Sequence, residues 1–283
     1  MQILKLDGLC KQYPAFRLEN VSFSMEAGTI MGLIGRNGAG KTTTLKSMLH
    51  LVHPDAGTVT ICGLDMDKDE REIRSRIGFV SGGASYYQRK RLRELTDVTK
   101  RFYPGWDDGR YARLVRQYSL DENKRVCELS EGMKVKYQLA AAMSHRAELL
   151  ILDEPTSGLD PVSRDELLDT FRTLCEQEGV SILFSTHITS DLDACADTIT
   201  YIQHGRVAAS TDKKTWTRGY LLLQGSDAAC TPALRAACIG ARSHKGELEA
   251  LLRKEDAALA AGFALTPANL EQIMVHLERE AEA

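Results

Sequence analysis

The sequence has no apolar run approaching the ~20 residues that a membrane span requires. Work at a membrane would therefore need another chain to hold this one there. An excess of one charge is also lacking. A formal net charge of -3 over 283 residues gives no electrostatic case for nucleic acid or for an anionic bilayer surface. No Cys-x-x-Cys pair occurs. The seven cysteines are scattered and odd in number, and they read as small apolar fillers in a reducing compartment, not as a disulfide or zinc framework. Met1-Gln2-Ile3-Leu4-Lys5-Leu6-Asp7 has none of the features of a signal peptide. What is present is a globular composition, 43% hydrophobic and 27% charged, with length for one large or two small domains.

Gly35-Arg36-Asn37-Gly38-Ala39-Gly40-Lys41-Thr42 fits the pattern G-x-x-x-x-G-K-[ST] without a mismatch. Residues 29–34 ahead of it read as a short buried strand, and residues 43–51, from Thr43 on, as a helix. In a strand, glycine loop and helix of this kind, backbone N–H groups surround a phosphate at a helix N-terminus. The glycines let the main chain bend and approach closely. Lys41 is placed to pair with β- and γ-phosphates, and the Thr42 hydroxyl to ligate Mg²⁺. A chance glycine turn before a helix would explain neither the Lys-Thr pair nor both flanks. The chain is expected to bind a nucleoside triphosphate.

Taken in order, residues 2–9 and 18–25 read as two strands. Tyr13 between them is either a half-buried strand residue or a plate on which a base can stack. Residues 58–61 read as a strand after a turn, 65–76 as a short surface helix, 77–80 as a buried strand and 81–87 as a loop. The stretch 88–125 is basic at first (Arg89, Lys90, Arg91, Arg93) and then helical. That basic cluster is a solvated face or a contact to a partner protein. Asp107 is placed to cap a helix ending at Tyr118, and Ser130 one over 134–145.

The apolar run 149–152 ends in Asp153 and Glu154. Carboxylates at the C-terminal end of a central parallel strand lie beside the phosphate loop, where magnesium needs oxygens and water needs a base. Local capping or pairing is the other use for either one. Pro161 opens the next helix. The strand 180–185 ends in Thr186-His187, a histidine that is structural or lies on the ligand edge of the sheet. Residues 197–203 read as a further strand, with His204-Gly205 the hairpin turn that follows.

These segments, in this order, resemble the nucleotide-binding subunit of an ATP-binding cassette (ABC) transporter over about residues 1–210. The resemblance implies an α/β, P-loop NTPase fold: a RecA-like core, an antiparallel β subdomain and a helical subdomain inserted at about residues 88–147. The phosphate loop and Thr43 match the nucleotide-binding set. Leu129-Ser130-Glu131-Gly132-Met133 stands where the family signature is usually Leu-Ser-Gly-Gly-Gln, keeping Ser130 and Gly132. Asp153 matches the magnesium-side acid that works with Thr42, and Glu154 the base for the attacking water. Asp160 closes the loop Ser157-Gly158-Leu159-Asp160, which in the family crosses between protomers. His187 matches the switch histidine that senses the γ-phosphate, and Tyr13 the adenine-stacking aromatic.

The implied cofactors are ATP and Mg²⁺. The implied partners are an integral-membrane permease subunit and a second cassette, in a homodimer or a heterodimer, with no nucleic acid. Two such cassettes close head to tail, so that each ATP lies between one chain's phosphate loop and the other's signature. The Glu-Gly-Met signature and Phe102-Tyr103-Pro104-Gly105-Trp106-Asp107 are similar to a bacterial exporter-type subgroup whose ATPase is a separate polypeptide. The expected function is therefore to power transport, with a leaning to export, from the cytoplasmic face of the cell membrane. A soluble ABC-type ATPase with a regulatory role is the rival, but the coiled-coil insertion of repair types and the second cassette of translation types are both missing. A small-molecule phosphoryl transferase would leave residues 129–133 unexplained.

One position departs from the family. Its strand matching 77–80 is normally followed by a proline and a glutamine that touches magnesium and the membrane partner; here Ser81 and Gly82 stand instead, and Gln88 lies too far along. Residues 211–283 fall outside the shared cassette and read as a small C-terminal α+β appendage. In it, 219–224 is expected as a strand, and Glu247–Arg253 and 268–280 as helices. Leu270, Ile273, Met274 and Leu277 recur at helical spacing, either as small-domain core or as a membrane-lying face.

Overall fold

Two long strands, β1 (Gln2–Tyr13) and β2 (Phe16–Glu26), open the chain and pair antiparallel. Both extend beyond the expected 2–9 and 18–25, because the pairing continues until Tyr13 faces Phe16 across the turn. The structure, a computed structural model, describes residues 1–81 and 87–282. Next come β3 (Ile30–Ile34), α1 (Lys41–Met48), β4 (Ala56–Ile61) and β5 (Leu64–Asp65). The surface helix expected over 65–76 is shorter, α2 (Glu70–Arg76), since Leu64 and Asp65 pair with β4 instead. It leads into β6 (Ile77–Ser81).

Helices α3 (Leu92–Thr99), α4 (Asp108–Gln117) and α5 (Glu131–Ser144) follow. Asp107 caps α4 by accepting from the Arg110 N–H at 2.8 Å. A buried hydroxyl cluster ties the three helices together. Thr96 Oγ1 of α3 lies 2.7 Å from Tyr111 Oη of α4 and 3.1 Å from Tyr137 Oη of α5. Then come β7 (Leu149–Asp153), α6 (Pro161–Glu178), β8 (Ser181–Thr186), α7 (Thr189–Cys195), β9 (Thr198–Gln203) and β10 (Arg206–Asp212).

The strands β2-β1-β4-β5 form one sheet, and β10-β9-β3-β8-β7-β6 another. In the second, β9, β3, β8, β7 and β6 run parallel. Its central strands are uninterrupted apolar runs. Leu149, Leu150, Ile151, Leu152, Ile182, Leu183 and Phe184 are all fully buried, as expected of a parallel sheet covered on both faces. The register pairs Ile34 with Thr186 and Asp153 with Ser185. Strands β3, β7 and β8 therefore end side by side, at the edge where sheets of this kind hold their ligands.

The chain divides into two compact units, Met1–Ser210 and Thr211–Ala283. The second contains α8 (Lys213–Arg218), β11 (Tyr220–Ser226), α9 (Pro232–Ala237), β12 (Ile239–His244), β13 (Glu247–Arg253), β14 (Ala264–Pro267) and α10 (Leu270–Glu282). The helix expected over Glu247–Arg253 is strand β13, flanked by β12 and β11. Glu, Ala and Leu favour helices in isolation. A seven-residue run is too short to hold a helix unaided, and pairing on both sides buries Leu248, Ala250, Leu251 and Leu252. In α10, Leu270, Ile273 and Met274 are buried and the helix packs on β12 and β13, so the stripe is core. No helix among the described residues is long and apolar enough to cross a membrane.

Candidate functional site

The phosphate loop leaves the end of β3 and turns directly into α1, which begins at Lys41 rather than at the expected Thr43. Gly40 makes that turn with φ 114°, and a Cβ there would stand 2.8 Å from Phe16 Cζ, so both conformation and space demand glycine. Lys41 is buried, 5% exposed. Its ammonium donates to Gly35 O at 2.8 Å and Arg36 O at 3.3 Å, and lies 3.2 Å from Glu154 Oε1. The cation is thus folded over its own loop.

The end of β7 supplies two carboxylates with different surroundings. Asp153 is buried, and its Oδ1 accepts from Thr42 Oγ1 at 3.0 Å and Ser185 Oγ at 2.7 Å. Glu154 is partly exposed and sits at φ 49°, a left-handed backbone that a side chain strains to adopt. Three contacts hold it there. Its N–H donates to Ser185 Oγ at 2.9 Å, Oε1 faces Lys41, and Oε2 lies 2.9 Å from His187 Nδ1. Ser185 therefore orients both acids. The sequence reading missed it; the available signal was a hydroxyl at the end of an apolar strand, whose register opposite Asp153 is a tertiary fact.

A buried knot fixes the loops behind these groups. Asp191 accepts from Thr156 Oγ1 at 2.7 Å and Thr186 Oγ1 at 3.0 Å, and pairs with the Arg164 guanidinium. This joins the segment after β7 to the end of β8, where His187 emerges.

Around the phosphate loop lies a cavity of about 650 Å³. Tyr13, Asn37, Gly38, Gly40, Lys41, Thr42, Thr43, Glu154 and His187 line it, together with Phe16 and Ser157. Gly35, Arg36 and Ala39 form the loop body, and Asp153 stands behind Thr42. Ser130, Gly132 and Asp160 do not line this cavity. Ser130 caps α5 by accepting from the Met133 N–H at 3.3 Å. Gly132 faces Leu159 and Ser163. Asp160 caps α6, accepting from the N–H groups of Val162 and Ser163 at 3.0 and 3.1 Å, and its carboxyl is held below the usual range chiefly by the Ser163 hydroxyl at 2.6 Å. Asp160 thus lies at the start of α6, and Ser130 and Gly132 at the start of α5, none of them on the wall of the phosphate-loop cavity. The expectation concerning Gly82 lies outside the described residues.

The donor set fits a triphosphate with a hard cation. Lys41 and the N-terminus of an eight-residue helix offer positive charge and N–H groups. The Thr42 hydroxyl and the buried Asp153 carboxylate offer oxygens of the kind magnesium accepts while keeping much of its water.

The ABC transporter family model matches residues 18–157. Nod factor export ATP-binding protein I of Burkholderia lata is 37% identical over 197 residues, 68% of this chain and 64% of that protein. Bacitracin transport ATP-binding protein BcrA of Bacillus licheniformis is 32% identical over 231 residues, covering 80% of this chain and 76% of that one. The chain belongs to the ABC transporter family. ABC transporter ATP-binding protein YtrB of Bacillus subtilis is a further relative of this cassette, 30% identical over 207 residues and covered to 70%. A solved ATP-binding subunit of an ABC transporter superposes with a TM-score of 0.68 at 29% identity, over 76% of this chain and 92% of that one. A nucleotide-free ATP-binding cassette, at 19% identity and TM-score 0.65, shares the fold. The expected α/β, P-loop NTPase architecture is thus the family's own.

Proposed function

We propose that this cassette binds and hydrolyses ATP as one of a pair, and that the cycle drives transport through a separate integral-membrane permease. The observation that carries the reading is the placement of Glu154 in the phosphate-loop cavity, between Lys41 Nζ at 3.2 Å and His187 Nδ1 at 2.9 Å. A carboxylate whose two oxygens face Lys41 and His187, on a backbone anchored to Ser185, is held in place to accept a proton.

In this reading Tyr13 stacks the adenine, while Gly35, Arg36, Asn37, Gly38, Ala39, Gly40 and Thr43 cradle the phosphates. Lys41 neutralises the β- and γ-oxygens. Glu154 takes a proton from the attacking water as the β–γ bridge breaks, and His187 fixes the carboxylate while reaching toward the γ-phosphate. Thr42 and Asp153 would hold Mg²⁺, which supplies charge neutralisation on the phosphate oxygens. Ser130, Gly132 and Asp160 serve the nucleotide of a second cassette, which accounts for their absence from the wall of this chain's own cavity. The N-terminus of α5 then offers its N–H groups across the dimer contact. A homodimer would have two complete composite sites; a heterodimer would pair this chain with another cassette.

Residues 1–210 form the ATPase domain, with the helical subdomain at about 88–147, and 211–283 an accessory domain. The site of work is the cytoplasmic face of the cell membrane. Export is the favoured direction, on the names of the Nod factor and bacitracin relatives. Affinity capture of the full chain from detergent-solubilised membranes should bring down an integral-membrane protein that stimulates MgATP hydrolysis. Hydrolysis with no membrane protein in the complex would favour a soluble regulatory ATPase.

A further inference from the structure

We infer that Gly205 is a positioning residue for the phosphate loop: its N–H pins the Ala39 carbonyl and thereby aims the Gly40 N–H into the nucleotide cavity. The inference rests on the nucleotide-binding reading of that cavity.

A trans peptide unit holds its C=O and N–H in opposite directions. The Ala39 carbonyl and the Gly40 N–H belong to one such unit. Gly205 N–H donates to Ala39 O at 2.9 Å, so the Gly40 N–H points the other way. Among the described residues that N–H donates to no protein acceptor, and Gly40 lines the cavity. It stands at the N-cap of α1, where backbone donors lack partners within the helix and are satisfied by anions. Flipping this one peptide would replace a donor by a carbonyl oxygen and repel a phosphate.

What keeps the peptide from flipping is the rigidity of the turn that holds it. His204 and Gly205 lie at φ 48° and 76°, the consecutive left-handed pair of a tight hairpin turn, here between β9 and β10. Gly205 O accepts from the Glu19 N–H of β2 at 2.8 Å. A Cβ on Gly205 would stand 1.9 Å from Arg17 O and 3.0 Å from its carbonyl carbon, so the turn lies flush on the backbone of β2. On its solvent side Arg206 Nη2 meets Glu19 Oε2 at 2.7 Å. The turn is wedged between β2 and the phosphate loop, with one polar group of Gly205 committed to each.

The direct test removes only the N–H. Replacing Gly205 by glycolic acid in a semisynthetic chain converts that amide to an ester without adding a Cβ. Affinities for fluorescent N-methylanthraniloyl derivatives of ADP and of adenosine are then measured alongside the wild type. ADP affinity should fall about tenfold or more, the scale of one hydrogen bond to a charged group, while adenosine affinity stays within about twofold. Steady-state hydrolysis should show KM for ATP raised by a larger factor than kcat is lowered. Gly205→Ala, reachable by mutagenesis, should lose ADP affinity at least as far, because its Cβ displaces the turn. Equal losses for ADP and adenosine would reduce Gly205 to a folding role and overturn the inference, as would wild-type ADP affinity in the ester. Either result with a wild type that binds ADP leaves the nucleotide reading standing; a wild type that binds no ADP overturns both.

Discussion

Glu154 Oε2 and His187 Nδ1 lie 2.9 Å apart, joining the ends of neighbouring parallel strands across 33 residues of chain. The histidine fixes one carboxylate oxygen while Lys41 faces the other, so the direction of Glu154 depends on its neighbours. His187→Ala should leave nucleotide affinity nearly unchanged and lower ATP turnover by about a hundredfold, the low end of the range for general acid–base catalysis. Equilibrium binding of a fluorescent ATP analogue, with phosphate release measured in parallel, separates the two effects. An equal loss of both would place His187 in binding instead.

Magnesium dependence should trace to Thr42 and Asp153. Both oxygens converge at 3.0 Å, and Asp153 is buried with the Ser185 hydroxyl as its other donor. Chelation by EDTA should abolish turnover. Asp153→Asn should shift the Mg²⁺ titration of the ATPase to higher concentration, because it removes the charge but keeps the shape. An unchanged titration midpoint would mean that Asp153 serves packing alone.

The composite-site reading makes a mixing prediction. Ser130→Arg puts bulk on the end of α5, away from the chain's own cavity, so monomeric nucleotide affinity should hold while ATPase activity collapses. Lys41→Ala disables the other half. In a mixture of the two variants, one site of each heterodimer carries both lesions and the other carries none, so activity should reappear. Failure to recover, together with no cross-link between cysteines placed at positions 130 and 38 of different chains, would contradict the head-to-tail arrangement.

Much of this site was readable from residues that act locally. Eight consecutive residues specify the phosphate loop, and its strand and helix flanks follow from short-range pattern. Asp153, Glu154 and His187 stood out because each follows an apolar run whose length suits a buried strand. Ser185 did not, since its meaning depends on the register that sets it opposite Asp153. The bond from Gly205 to Ala39 was equally hidden, because nothing near position 205 announces its partner. The helix expected over Glu247–Arg253 is a strand for a related reason. Local propensity favours a helix there, and only the two flanking strands make it the buried middle of a sheet. Tyr13 showed both aspects at once, since it ends a strand and also lines the cavity.

Stability should fall in mild acid because of His145. Its ring stacks on Tyr103 at 3.8 Å, and its Nδ1 has no hydrogen-bond partner among the described residues. Burial pushes the imidazole down from 6.5 to about 4. The folded chain therefore resists a proton that the unfolded chain accepts. The contribution is fully present above about 6.5 and is lost as pH falls toward about 4. Melting temperature measured through that window should decline for the wild type and less steeply for His145→Phe, which keeps the stacking. Parallel curves would exclude His145 as the cause.

The most direct measurement is ATP turnover and oligomeric state of Glu154→Gln beside the wild type, each with ATP and Mg²⁺. The amide keeps the size of the side chain and its backbone hydrogen bond to Ser185, but it cannot accept the proton of the attacking water. Phosphate release should fall by about a hundredfold or more, with ATP still bound. On size-exclusion chromatography the variant should elute as an ATP-loaded dimer, since the bridging nucleotide is no longer destroyed. Near-wild-type hydrolysis, or loss of ATP binding with no dimer, would contradict the account.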